Sequence, residues 1–244
     1  MNNWLAILIG AILFIFVSFY ATVVVPSVQL TQTKPLSLGA GETYPSPRPG
    51  SALLGMDNYR SLGCYYCHTR MVKPYEFGSD YERGWGNRRS VARDYIGETS
   101  LLCGSIRLGA DLMNIGSRNP EKYAVRWNFS TTNRTTQLIE KRARNLLILY
   151  NPRYLNPDSI MPSYNYLFDE ENAAKNGTQT SIDGMFIFES KRVIPKNEAK
   201  HLADFLESMN FDQPLFEAPS PLAPSQIINK PTALTNVFRT ETGN

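Results

Sequence analysis

The chain has 244 residues, 42% hydrophobic and 19% charged, enough apolar material for one globular domain with accessory segments. The formal net charge is only +3 and no long Lys/Arg run occurs, so a nucleic-acid-binding role is excluded as the leading reading.

Trp4 to Val25 is free of charge. At 1.5 Å per residue this run makes roughly 33 Å of helix, enough to cross a hydrocarbon core. No Lys or Arg precedes it, and Phe19-Tyr20-Ala21-Thr22 makes a poor cleavage site, so it reads as an uncleaved anchor rather than a signal peptide. Residues 1–26 are assigned to this anchor, with Pro26 as its end. Residues 27–50 are rich in Ser, Thr, Gly and Pro and read as an extended linker. Lys34 alone weakly favours a cytoplasmic C-terminal part, but long domains translocate largely regardless of charge.

Residues 51–212 read as the folded domain. A short helix is expected over Ala52–Leu62, stopped at Gly63. Cys64-Tyr65-Tyr66-Cys67-His68 follows, a Cys-x-x-Cys-His pattern for covalent haem attachment. Two thiols three positions apart on one turn can each form a thioether to a porphyrin vinyl group, and the adjacent His presents its imidazole to the iron. Residues 70–106 show no period and read as a packed loop. Arg134–Tyr150 reads as a helix stopped by Asn151-Pro152, and residues 169–183 as a polar surface excursion. Lys196–Met209 is the clearest amphipathic helix, with Ala199, Leu202, Phe205, Leu206 and Met209 on one stripe. Residues 213–244 are Pro-rich without periodicity and read as an extended arm.

Other uses of the motif fit less well. A thioredoxin-like pair needs a strand before it and a βαβ context, which the pattern lacks. A zinc site needs about four ligands, and the whole chain holds three Cys and two His, the extra two far apart. For the sixth position on a haem iron, Met or His is usual in electron transfer. His201 lies on the flank of the last helix and reads as a surface histidine. Of the seven Met, Met209 belongs to an apolar stripe, and Met56, Met71, Met113 and Met185 suit core filler. Met161 differs: it sits in Ser159-Ile160-Met161-Pro162-Ser163-Tyr164, where Pro162 stiffens a loop that can present a thioether at little entropic cost. Met161 is therefore the candidate sixth ligand. Cys103 is left over and reads as a small buried hydrophobe. Arg70 and Lys73, just behind the motif, are candidates to neutralise haem propionates. The sequons at Asn128, Asn133 and Asn176 read as chance.

The stretch Cys64 to Pro74, CYYCHTRMVKP, resembles the mono-haem subunit II (O subunit) of cbb3-type cytochrome c oxidases. Trp85-Gly86 with Arg88 and Arg89, Arg107-Leu108-Gly109-Ala110-Asp111-Leu112, Ile115-Gly116-Ser117-Arg118, Leu149-Tyr150-Asn151-Pro152-Arg153 and Ser159–Tyr164 are similar to further segments of that family, in the same order. The resemblance spans about residues 53–210. It implies an all-α fold: a class I cytochrome c domain tethered by one N-terminal transmembrane helix. It implies one covalently attached haem c on the periplasmic face of the inner membrane, held by Cys64, Cys67, His68 and Met161. The implied partners are a catalytic haem–copper oxidase subunit with haem b, and a di-haem cytochrome c subunit. The implied role is electron relay, with oxygen chemistry in the neighbouring subunit rather than on this chain. Alternatives are the mono-haem subunit of a nitric oxide reductase, a haem-based gas-sensing module and an assembly protein with an incidental motif. Two departures stand out: Ala110 replaces a family Pro whose carbonyl accepts the histidine Nδ1–H, and Asn119–Thr136 is longer than expected.

Overall fold

The computed structural model describes residues 3–39, 41–118, 134–172, 186–188 and 191–221. It divides into two compact units: Met1–Ser46 with Val91–Thr99, and the described parts of Pro47–Ser90 with Ser100–Asn244.

In the first unit, helix α1 (Trp4–Phe19), a π-helical turn (Tyr20–Val24) and helix α2 (Val25–Thr31) form one helical run. The run, Trp4–Thr31, has 28 residues and is long and apolar enough to cross a membrane. None of its residues is buried within the chain. Pro26 does not end the helix as its chemistry predicts; it occupies the first turn of α2. The wider π turn just before it absorbs the lost N–H, as such local adjustments do in apolar helices. Hydroxyls take up carbonyls on either side: Thr22 Oγ1 donates to Ser18 O at 2.7 Å and Ser27 Oγ to Val23 O at 2.6 Å.

Strands β1 (Leu36–Gly39) and β2 (Glu42–Tyr44) pair antiparallel where the sequence pattern predicts an extended linker. Tyr44 is buried, and its hydroxyl donates to Asp94 Oδ1 at 2.7 Å. Asp94 Oδ2 accepts the Val91 N–H at 2.9 Å, so one carboxylate ties residues 91–94 to the hairpin.

The second unit is built on helix α3 (Gly50–Ser61) crossing the late helix α6 (Asn197–Ser208). Gly55 makes the crossing close: a Cβ there would lie 1.9 Å from His201 O and 2.7 Å from Phe205 Cβ. Around that point Tyr59 of α3 stacks on Phe205 of α6 with ring centroids 5.3 Å apart. The predicted stripe of α6 is buried as read: Ala199, Leu202, Phe205, Leu206 and Met209 are all 9% exposed or less. Helix α4 (Arg134–Tyr150) closes the core with Leu146 and Leu149. Its Arg142 donates to Asp204 at 2.5 Å and Glu207 at 3.2 Å on α6. A single turn, α5 (Pro152–Leu155), follows.

The described chain is not all-α. Besides the hairpin, β3 (Phe168–Asn172), β4 (Phe186–Phe188) and β5 (Lys191–Pro195) form a three-stranded antiparallel sheet with β5 in the middle. Strands of three to five residues are too short to display a period of two, which is why the helical reading passed over them. Val193 on β5 is fully buried. The start of the predicted arm packs back on the domain. Arg88 Nε donates to Gln213 O at 2.6 Å and Arg89 Nη2 to Glu217 O at 2.8 Å. Leu215 and Ala218 are buried. The long stretch Asn119–Thr136 lies largely outside the described residues, as do Met185, most of the polar excursion and the arm beyond Pro221.

Gly55→Ala tests the crossing. The added methyl favours the helix by about 1 kcal/mol, but overpacking costs about 1–3 kcal/mol, and a backbone carbonyl cannot rotate out of the way. The variant should melt lower by a few degrees, roughly 2–4 °C per kcal/mol lost, in a thermal scan; an unchanged or raised Tm would show that the helices can part at no cost.

Candidate functional site

Gly63, in the left-handed conformation at φ 74°, ends α3 and turns the chain into a short 3-10 turn over Cys64–Tyr66. Cys67 N donates to Cys64 O at 3.2 Å and His68 N to the same carbonyl at 3.0 Å, so the motif is coiled into one turn. The loop over Pro162 delivers Met161, and Tyr164 N anchors that loop to Leu149 O at 2.8 Å.

These separate segments meet at one open cleft. Its lining includes Cys64, His68 and Met161. Leu112, Ile115, Ile148, Leu149, Leu202 and Leu206 make the walls apolar, with Tyr59 and Asn145 as polar exceptions. A largely apolar cleft with a few convergent polar groups is the kind of lining a cofactor site requires. Cys67 lies on the same turn as Cys64 and His68 but outside that lining.

His68 is held from behind. Its Nδ1 lies 2.8 Å from Ala110 O, so Nδ1–H donates there and Nε2 is the nitrogen left for a metal. The carbonyl survives the replacement of Pro by Ala. Gly109 lets the loop pass beneath the ring: a Cβ there would lie 2.2 Å from His68 Cε1. Burial pushes the His68 pKa down, against the opposing effects of the Ala110 bond and Asp111. A neutral imidazole is the form that binds a metal.

The cysteines do not look like a redox pair. Burial among apolar groups pushes the Cys64 thiol up to about 12, whereas a dithiol catalyst depends on a depressed thiol pKa. Among the described residues no three His, Cys, Asp or Glu side chains converge as a metal cluster, so a zinc site gains no support. The donor set at the cavity is instead one imidazole, one thioether and a thiol beside it. That chemistry fits a haem: soft and imidazole ligands for the iron, thiols for the porphyrin edge, apolar walls for its faces.

The remaining methionines are placed otherwise. Met56, Met113 and Met209 are buried and Met71 is 40% exposed, and none of these lines the cavity. His201 is half-buried on α6, its carbonyl against Gly55. Arg70 is not a solvated cation near the cleft mouth. It is 0% exposed, and its guanidinium lies 5.2 Å from the centre of the Phe205 ring. Lys73 uses its backbone N–H on Asp80 at 2.7 Å. Cys103 is half-buried, and its carbonyl accepts the Arg70 N–H at 2.7 Å.

Sequence reasoning missed Tyr59, whose hydroxyl is buried with no hydrogen-bond partner among the described residues. Burial raises its pKa, with Cys64 adding to the effect. It also missed Asp111 and Arg107, which lace the loop under His68 to the segment after it. Asp111 is fully buried. Its Oδ2 accepts Thr69 Oγ1 at 2.7 Å and Met71 N at 2.8 Å, and its Oδ1 accepts Met113 N at 2.9 Å. Arg107 donates to Asp80 at 2.5 Å and 2.9 Å, to Thr69 Oγ1 at 2.8 Å and to Met71 O at 2.6 Å. The sequence marked both only as members of the Arg107–Leu112 segment similar to the family, with no role attached to either side chain.

Comparison with known proteins identifies the chain's family. The family described as cytochrome C oxidase, mono-heme subunit/FixO matches residues 2–141. That stretch holds the apolar helix, Cys64, Cys67, His68 and the Arg107–Asp111 segment, and it ends before Met161. No curated protein matches the chain. With more than half its length matched, the chain belongs to the family of mono-haem subunits of cytochrome c oxidase.

Proposed function

We propose that the chain is the electron-relay subunit of a cbb3-type terminal oxidase, carrying one haem c attached through Cys64 and Cys67 and ligated by His68 and Met161. The observation that carries this reading is the meeting of Cys64, His68 and Met161, distant in sequence, at one apolar cavity. In this reading the second unit is a class I cytochrome c domain with one small three-stranded sheet added.

When bound, the haem supplies a one-electron redox centre. The chain's own residues do the rest. Cys64 and Cys67 retain the group covalently, so it is not lost by dissociation. His68, oriented by Ala110, and Met161, stiffened by Pro162, would hold the iron and leave no open site for gas. A Met ligand raises the potential, and the apolar walls restrict water at the iron. The helical run Trp4–Thr31 spans the inner membrane and holds the domain on the periplasmic side. Electrons then pass from a di-haem subunit or a soluble cytochrome c to the haem b of the catalytic haem–copper subunit. The tether confines the domain near its partners, where a high effective concentration substitutes for affinity.

Three measurements test it. Haem staining of a denaturing gel should label the wild-type chain and lose the label in a Cys64→Ser, Cys67→Ser double variant; an unlabelled wild type would end the covalent assignment. Met161→Ala should keep the stain, lose the far-red methionine-to-iron charge-transfer band and gain CO binding in the ferrous state. A retained band would move the sixth ligand elsewhere. Purification of the chain from its native membrane should bring down a copper-containing, oxygen-consuming partner, and copurification of an iron-only nitric oxide reductase would overturn the oxidase assignment.

A further inference from the structure

We propose that Arg107 and Asp111 are positioning residues that set the donor strength of His68, and so the midpoint potential of the bound haem, by fixing the Ala110 carbonyl. The inference rests on the reading above that His68 is an iron ligand.

The geometry is a lacing between two segments. Residues 67–71 run beside residues 109–113. Gly109 N donates to Cys67 O at 2.9 Å and Leu112 N to Thr69 O at 2.7 Å. Between these two backbone bonds lie two side-chain bonds, both linking residues 42 apart: His68 Nδ1 to Ala110 O at 2.8 Å, and Thr69 Oγ1 to Asp111 Oδ2 at 2.7 Å. The residue after the ligand is thus bonded to the residue after its acceptor. Arg107 locks the same point from the other side, since its Nε donates to Thr69 Oγ1 at 2.8 Å. Its two Nη groups take Asp80 at 2.5 Å and 2.9 Å. Arg118 adds a bond to the Asp111 carbonyl. The Ala110 peptide therefore has almost no freedom, although Ala lacks the fixed φ of the proline found there in the family.

The consequence is electronic. A firm Nδ1–H···O=C bond makes the imidazole a stronger donor, as outer hydrogen bonds to metal-bound histidines do. A stronger donor favours the ferric state and lowers the potential. Loosening the lacing weakens that bond and raises the potential.

Charge offers a rival cause, and the two residues separate it. A field effect alone would raise the potential when the Asp111 carboxylate is removed and lower it when the Arg107 guanidinium is removed. Positioning raises it in both. The experiment is a redox titration of the full-length holoprotein as wild type, Asp111→Asn, Arg107→Gln and the Asp111→Asn, Ala110→Pro double variant. We expect both single variants to shift upward, by up to about tenfold in the reduction equilibrium or about 59 mV. The His68 Nδ1–H proton should exchange faster in both, and the proline should bring the double variant back toward wild type. Shifts of opposite sign, or unchanged potentials with only a lower Tm, would overturn the proposal. If Asp111→Asn fails to accumulate, Arg107→Gln decides alone: a rise supports positioning, and a fall or no change refutes it. Loss of haem stain or of six-coordination in the wild type would instead refute the reading beneath it.

Discussion

The second unit depends on one missing side-chain atom. At Gly55 the backbone of α3 rests against the His201 carbonyl of α6, at a separation a Cβ would not permit. Two helices far apart in sequence are thereby held closer than ordinary side-chain packing allows. Tyr59 and Phe205 stack at 5.3 Å beside that contact. What lies beyond follows from it: α3 ends at Gly63, the haem-attachment turn begins at once, and Leu202 and Leu206 of α6 stand opposite as cavity wall. Close helix crossing is the cause, and a cleft with the cysteine turn at its edge is the effect.

The next constraint is electrostatic. Asp80 and Asp111 are 1% and 0% exposed, a placement that costs several kcal/mol per charge unless each is paired and hydrogen-bonded. Both are. Asp111 accepts three N–H or O–H donors, and Arg107 faces both carboxylates. Charge-assisted bonds of this kind contribute about 1.5–3 kcal/mol each, so the cage is self-consistent only when complete. It joins the chain just after His68 to the chain just after Ala110. A loop with no helix or strand of its own thereby gains the rigidity that an axial ligand requires.

The parts legible in the sequence were those whose chemistry or period repeats. Cys64, Cys67 and His68 stand out because that spacing is what thioether formation and ligation by the adjacent His would require. The stripe of α6 is legible because burial on one face imposes spacings of three and four. Met161 stands out because Pro162 stiffens the loop around it. The rest depends on partners remote in sequence. Asp111 and Arg107 sit in the Arg107–Leu112 segment, but their roles are defined by Thr69 and Asp80, 42 and 27 residues away. Arg70 reads in the sequence as a candidate partner for haem propionates, yet tertiary packing buries it against the Phe205 ring. Pro26 signals a helix end in water, where the lost N–H bond has no local substitute, but an apolar helix with a π turn and two hydroxyls accommodates it. The short strands are illegible because three to five residues carry too little pattern.

Retention, ligation and membrane attachment impose different demands, and the chain meets them with separable parts. In the proposed reading two thiols would retain the cofactor, so His68 and Met161 would not need to supply binding energy and would be free to be chosen for potential. A relay needs a potential between those of its neighbours more than it needs affinity for any of them. Proximity comes from the helical run Trp4–Thr31. An open cleft with a rigid back wall suits that division: in the proposed reading the cleft would present the redox group, and the wall would hold His68 still.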